Sequence, residues 1–206
     1  MIVDPLTLLA FIPASLALNL TPGADMMFCL GLGLRSGPRP ALAASAGIAT
    51  GGMVHVALAG LGLAAAIAAA PWALDTIRWL GVAYLLWLAV QCLRQGPLRP
   101  DAPVLASTHA FRQGIMVNLT NPKVILFVLA FVPQFVDPAR SILPQFLIYG
   151  AVLSIGGLVI NGAVGVSAGG IGRRLATSAR FARGLGLASA AIFAGLAARL
   201  ALMQRS

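Results

Sequence analysis

The chain has 206 residues, 59% of them hydrophobic and 9% charged, with 14 Lys and Arg against 5 acids. A soluble domain carries about 25% charged residues, so this composition, with its mean hydropathy of +0.93, cannot supply a water-facing shell and excludes a soluble globular fold. The net charge of +9 does not point to nucleic acid, because the bases sit in connections between apolar runs without interleaved aromatic residues.

Six apolar runs follow in chain order, at about 6–33, 41–68, 77–93, 113–135, 143–169 and 184–202, long enough for a hydrocarbon core of about 30 Å. They are joined by RSGPRP (35–40), AAPWALD (69–75), RQGPLRPDAPVLASTHAFR (94–112), DPARSI (137–142) and RRLATSARFAR (173–183). The start, MIVDPLTLLAF, has neither a basic leader nor a small-residue cleavage site, so it is expected to be the first helix itself. The first, third and fifth connections hold Arg35, Arg39, Arg94, Arg99, Arg112, Arg173, Arg174, Arg180 and Arg183, while the opposite side holds Arg78, Arg140, Arg199 and Arg205. Basic residues concentrate in cytoplasmic loops. Both termini are therefore expected outside, with Asp4, Asp75 and Asp137 on the outer face.

Leu6 to Gly33 is 28 residues, about 42 Å as a straight helix, which overruns the core. NLTPGAD (19–25) supplies a reason. Pro22 removes a backbone donor and crowds the preceding turn, and Gly23 relaxes the backbone beside it, so a break is expected there.

The second half repeats the first. Asn19-Leu20-Thr21-Pro22 resembles Asn118-Leu119-Thr120-Asn121-Pro122. Gly51-Gly52-Met53-Val54-His55 resembles Gly156-Gly157-Leu158-Val159-Ile160-Asn161, and Leu80-Gly81 through Arg94 resembles Leu185-Gly186 through Arg199. Three spans per half turn the second copy upside down, an architecture in which paired broken helices meet at a midplane site. The expected fold is an all-α integral membrane protein of six transmembrane helices, built as two inverted three-helix repeats with broken first and fourth helices. It forms one domain over 1–206, with repeat 1 at about 5–94, a cytoplasmic linker at about 95–112 and repeat 2 at about 113–204.

Polar residues at membrane depth are the candidate site, because burying charge there costs at least about 2.5–3.5 kcal/mol. Asp25 is the only acid inside a run and follows Pro22 by three residues; Lys123 is the only lysine and follows Pro122 directly. An ion pair or a shared site between them is expected, as a substrate and proton pathway or as a structural bridge. His55 lies mid-span, with Asn161 at its repeat-equivalent position, as a proton relay, a substrate contact or a packing residue. Asn19, Asn118 and Asn121 flank the breaks, where they satisfy freed backbone groups or offer amides to a ligand. Gly47-x-x-x-Gly51 and Gly165-x-x-x-Gly169 permit close helix contact, within the chain or between copies, so a homo-oligomer stays open. No nucleophile turn accompanies His55 or the loop residue His109, the metal ligands are too few and too scattered, and Cys29 and Cys92 do not form a disulfide framework. No enzyme, cofactor or metal is expected.

NLTPGAD, AGIATGG followed by His55, LGVAYLLWLAVQCLR and NLTNPKVILFVLAFVPQFV together resemble the LysE/RhtB amino-acid exporters. The resemblance covers nearly the whole chain, is strongest over 15–65, 79–94 and 114–136, and rests mainly on hydropathy in the last third. Ala24 departs from the second proline common in the family after TPG. The resemblance implies export of amino acids or close derivatives across the bacterial inner membrane, driven by the proton gradient. It carries Pro22, Gly23 and Asp25, and Asn118, Asn121, Pro122 and Lys123, onto the family's two motifs. A non-transporting membrane assembly protein is the alternative, and a thiol-redox carrier a weaker one.

Overall fold

Asp4 opens the first helix. Its Oδ2 accepts the Thr7 N–H at 2.8 Å and Pro5 takes the first helical position, where no donor is needed. The bond holds the Asp4 carboxyl below its usual range. The computed structural model describes residues 2–69, 73–94, 106–169 and 178–202, and every regular element among them is helical. In order these are α1 (Pro5–Leu20), α2 (Ala24–Arg35), α3 (Pro38–Ala69), α4 (Ala73–Arg94), α5 (Ser107–Leu119), α6 (Pro122–Ala130) with a 3₁₀ turn at Val132–Phe135, α7 (Ile142–Val166) with a 3₁₀ turn at Ser167–Gly169, and α8 (Ala179–Leu202).

The protein is an all-α membrane protein. α3, α7 and α8 are each long and apolar enough to cross a bilayer, and α1–α2 and α5–α6 qualify as two spans bent by 52° and 54°. α4 runs about 33 Å but carries Asp75, Arg78, Gln91 and Arg94 and falls short of that apolarity. Its packing makes it the sixth helix. Leu85, Leu88 and Cys92 of α4 share a core with Ala190, Phe193 and Ala197 of α8, while Trp79, Leu80, Trp87 and Leu93 are exposed on a face suited to lipid. The order of bent pair, long helix and helix occurs twice. The starts that differ most from expectation are those of α5, at Ser107 rather than 113, and α8, at Ala179 rather than 184; α4 begins at Ala73 rather than 77 and α3 at Pro38 rather than 41. His109, Arg112, Arg180 and Arg183 are thus helical rather than in connections. Trp72, Arg99, Arg173, Arg174 and Arg205 lie outside the described residues.

Both breaks fall at the expected prolines, though the first is made differently. Thr21 is extended, at φ −65° and ψ 117°, and its N–H still reaches Ala17 O at 3.0 Å. Gly23 has φ −169°, extended backbone open to any residue, so the break needs Pro22 but not glycine's freedom. The need at Gly23 is space: a Cβ there would lie 3.1 Å from Lys123 Nζ. At the second break, Pro122 starts α6 and Asn121 Oδ1 accepts the Lys123 N–H at 3.1 Å.

Small residues set the helix crossings. A Cβ at Gly47 would strike the Phe111 carbonyl and one at Gly114 the Ala44 carbonyl, which closes α3 on α5. A Cβ at Gly33 would strike the Gly165 carbonyl, and one at Gly165 would meet Ala41 Cβ at 2.6 Å and Cys29 O at 3.0 Å, which closes α7 on α2 and α3. The Gly47/Gly51 spacing therefore packs helices within the chain. Gly51 and Gly52 of α3 lie against Asn118, and Gly156 and Gly157 of α7 lie against Asn19. The asparagine at each break is seated on the glycine pair of the other half.

Candidate transport site between the two broken helices

A helix that stops inside a membrane leaves carbonyls without partners at one end and N–H groups at the other. Here charged side chains meet both. Lys123, on the first turn of α6, donates Nζ–H bonds to Leu18 O at 3.0 Å and Thr21 O at 2.7 Å, at the carbonyl end of α1. Asp25 stands in the first turn of α2 and is 8% exposed, at the end where helix dipoles favour negative charge. α2 has no side-chain cap, since its N-cap is Gly23.

Asp25 and Lys123 line one small cavity, about 20 Å³, with Thr21, Asn19 and Asn161. A second cavity of about 20 Å³ shares Leu18, Asn19, Asp25, Val124 and Asn161 as walls and adds Asn118, Ser154 and Gly52. Asn118 Nδ2 donates to Asp25 Oδ2 at 2.8 Å, and Asn19 Nδ2 to Leu153 O at 3.0 Å. Three buried polar atoms of these walls have no protein partner: Asp25 Oδ1, Asn118 Oδ1 and Ser154 Oγ. Each space fits about one water, too little for an amino acid, so this conformation is closed around its polar centre.

Of the expected site residues, Asp25, Lys123, Asn118, Asn19 and Asn161 meet in this centre. The direct ion pair does not form. Among the described residues the ion pairs are Arg78–Asp75 at 3.7 Å and Arg140–Asp137 at 2.9 Å, whereas Lys123 turns to the carbonyls of α1. The reason is competition: two orphan carbonyls lie at the end of its four-carbon reach. Asn121 caps α6 instead of lining the cavities. His55 Nε2 lies 3.1 Å from Asn118 O, so Nε2 carries the proton. It borders a larger pocket of about 380 Å³, otherwise apolar, walled by Leu58, Leu63, Ile125, Val128, Pro133 and Phe146.

Thr21, Ser154 and Tyr84 were not anticipated. Thr21 supplies its carbonyl to Lys123, Ser154 reaches the centre over Gly52, and Tyr84 OH donates to Lys123 O at 2.7 Å. Ser154 stands two residues ahead of Gly156-Gly157, the one signal that pointed to it. Cys29 and Cys92 are free and buried, on α2 and α4, which gives the thiol-redox alternative no support.

A family profile described as LysE type translocator matches residues 16–204. The chain is 36% identical over 155 residues to a homoserine/homoserine lactone efflux protein of Salmonella typhimurium, covering 73% of this chain and 75% of that protein. It is 30% identical over 206 residues to a leucine efflux protein of Klebsiella pneumoniae, covering 97% and 96%. It is also 35% identical over 169 residues to an uncharacterized membrane protein of Vibrio cholerae, covering 78% and 80%. No solved structure matches the chain.

Proposed function

Because the chain belongs to the LysE-type translocator family, we propose that it exports an amino acid or close derivative from the bacterial cytoplasm, coupled to the inward proton gradient. One observation carries the reading: a carboxylate and an ammonium stand at opposed helix ends around a polar centre walled by asparagines. A zwitterion matches that pair. Its ammonium goes to Asp25 and its carboxylate to the N-terminal turn of α2, which has no side-chain cap, and the remaining donor of Lys123, two of whose three protons are already used. A cargo with a second cationic group would find no second acid, since Asp25 is the only one well inside a span among the described residues. Neutral cargo is thus favoured, in keeping with relatives named for homoserine and leucine efflux. The two halves part to admit cargo, one three-helix repeat rocking against the other, and the His55 pocket is the route to one face.

Proteoliposomes loaded with labelled leucine, homoserine or lysine test this. Leucine or homoserine is expected to leave faster under an inward proton gradient and to stop doing so with a protonophore. Flux of every amino acid equal to that of protein-free liposomes sinks the reading.

The same reading places the protein in the inner membrane with the arginine-rich connections inside. Reporter fusions near Arg180 are expected to report the cytoplasm, and those near Asp137 and Leu202 the outside. A cytoplasmic signal from Leu202 would reverse the orientation.

A further inference from the structure

Four of the five glycines of α3 are explained by a neighbour. A Cβ at Gly47, Gly51, Gly52 or Gly60 would come within 3.0 Å of an atom of α5 or α7, whereas one at Gly62 would meet nothing within 4 Å. Glycine inside a helix is destabilising relative to alanine, and no helix crossing requires this one. It stands instead in the wall of the pocket of about 380 Å³. That pocket lies between the two halves: α3 supplies His55, Gly62 and Leu63, α6 supplies Val128, and α7 supplies Phe146. His55 is the one polar side chain in its lining. Its inner end adjoins the polar centre. Gly52, in the wall of that centre, is three residues from His55 on one face of α3, about 4.5 Å along the axis. Val124 of the centre is followed directly by Ile125 of the pocket. Asn118 stands between the two spaces, its side chain donating to Asp25 and its carbonyl 3.1 Å from His55 Nε2.

We infer that the His55 pocket is the subsite for the cargo's side chain, that it selects an aliphatic one, and that Gly62 keeps it open. The inference rests on the exporter reading, which puts the cargo's ammonium and carboxylate beside Asp25 and Lys123. The cavities there hold about 20 Å³ each, so a cargo held by its head group has no room beside that group for a side chain. The nearest wall of the pocket is one helical turn away, within the reach of an aliphatic side chain. As α3 and α6 part, the head group stays with the charges while the side chain passes Asn118 into the apolar space. A charged side chain would lose its water there without gaining a partner of opposite charge, and a side chain of one carbon would leave most of the space unfilled. Leu58 and Leu129 are exposed, so the pocket is open along one side towards the bilayer, and a lipid tail is the competing occupant.

Photo-leucine, a leucine analogue with a diazirine in its side chain, tests this on the whole protein in liposomes without transport. Irradiation is expected to label α3 between Leu58 and Leu63 or α6 between Ile125 and Leu129, and excess leucine, but not lysine or glutamate, to remove the label. Competition by alanine, 2-aminobutyrate and norvaline is expected to strengthen about fourfold with each added methylene. Gly62→Phe, whose ring has open space to enter, is expected to fold and to lose the label. Should it fail to fold, Leu129→Trp fills the pocket from the facing wall, at a half-exposed position, with the same expected loss. Three results overturn the inference: label on these walls that leucine does not displace, as for a pocket held by lipid; displaceable label confined to other segments; or displaceable label that survives in a folded Gly62→Phe or Leu129→Trp protein. Displaceable label on these walls in a protein that moves no amino acid would instead defeat the exporter reading alone.

Discussion

Lys123→Met is expected to abolish export and to lower thermal stability, and Asp25→Asn is not expected to rescue it. The lysine's partners are the Leu18 and Thr21 carbonyls at 3.0 and 2.7 Å, so its loss strands two acceptors at the end of α1, at about 1–3 kcal/mol each. An ion pair would behave differently. Neutralising both members of a buried pair is often tolerated where removing one is not, and the double variant would recover. Thermal unfolding of both single variants and the double variant in detergent, beside their export rates, separates the two cases. Stability costs that add point to helix capping; recovery in the double variant would restore the ion pair as the working contact. Lys123→Arg is also expected to fail, since the space beside the lysine is only about 20 Å³ and a branched, planar guanidinium does not reproduce a compact ammonium.

The second large effect is steric. Gly33→Leu or Gly165→Leu is expected to prevent accumulation of folded protein, and even alanine at either position to lower the unfolding midpoint clearly. A Cβ at Gly33 runs into the Gly165 carbonyl and comes within 2.8 Å of Ala168 Cβ, and one at Gly165 comes within 2.6 Å of Ala41 Cβ. Backbone and methyl groups cannot swing aside as a long side chain can, and overpacking of this kind costs about 1–3 kcal/mol or more. Gly62, with nothing within 4 Å of the same probe position, serves as the control and should accept alanine without change. Normal stability of Gly33→Ala and Gly165→Ala would mean that α2 and α7 do not close on each other as described.

Much of this architecture was legible in residue types. Pro22 and Pro122 marked the breaks because a missing N–H is a property of the residue itself, and the order of the two halves followed from Asn19 with Asn118 and Gly51-Gly52 with Gly156-Gly157 as recurring words. Asp25 and Lys123 stood out as the charges a bilayer tolerates least. What escaped reading was orientation. The carbonyls of Leu18 and Thr21 belong to no particular side chain, so nothing in the sequence announced that they would win Lys123 from Asp25. The start of α5 was set too late because Ser107 to Arg112 is polar enough to pass for a connection, although it extends the helix beyond the hydrocarbon.

The seating of each break asparagine on the opposite half has a bearing on biogenesis. Asn19 leaves the ribosome 134 residues ahead of Leu153, and its Gly156-Gly157 seat comes later still. Until α7 is inserted, the first bent span holds an amide in lipid with no place to rest, and Asn118 arrives to a seat on α3 that is already waiting. The first three helices must therefore stay loosely packed and hydrated at their break while the rest is synthesised, and the chain locks only when its fifth crossing is complete. A protein of half this length could reach the same closure in one way, by pairing with a copy of itself inserted upside down.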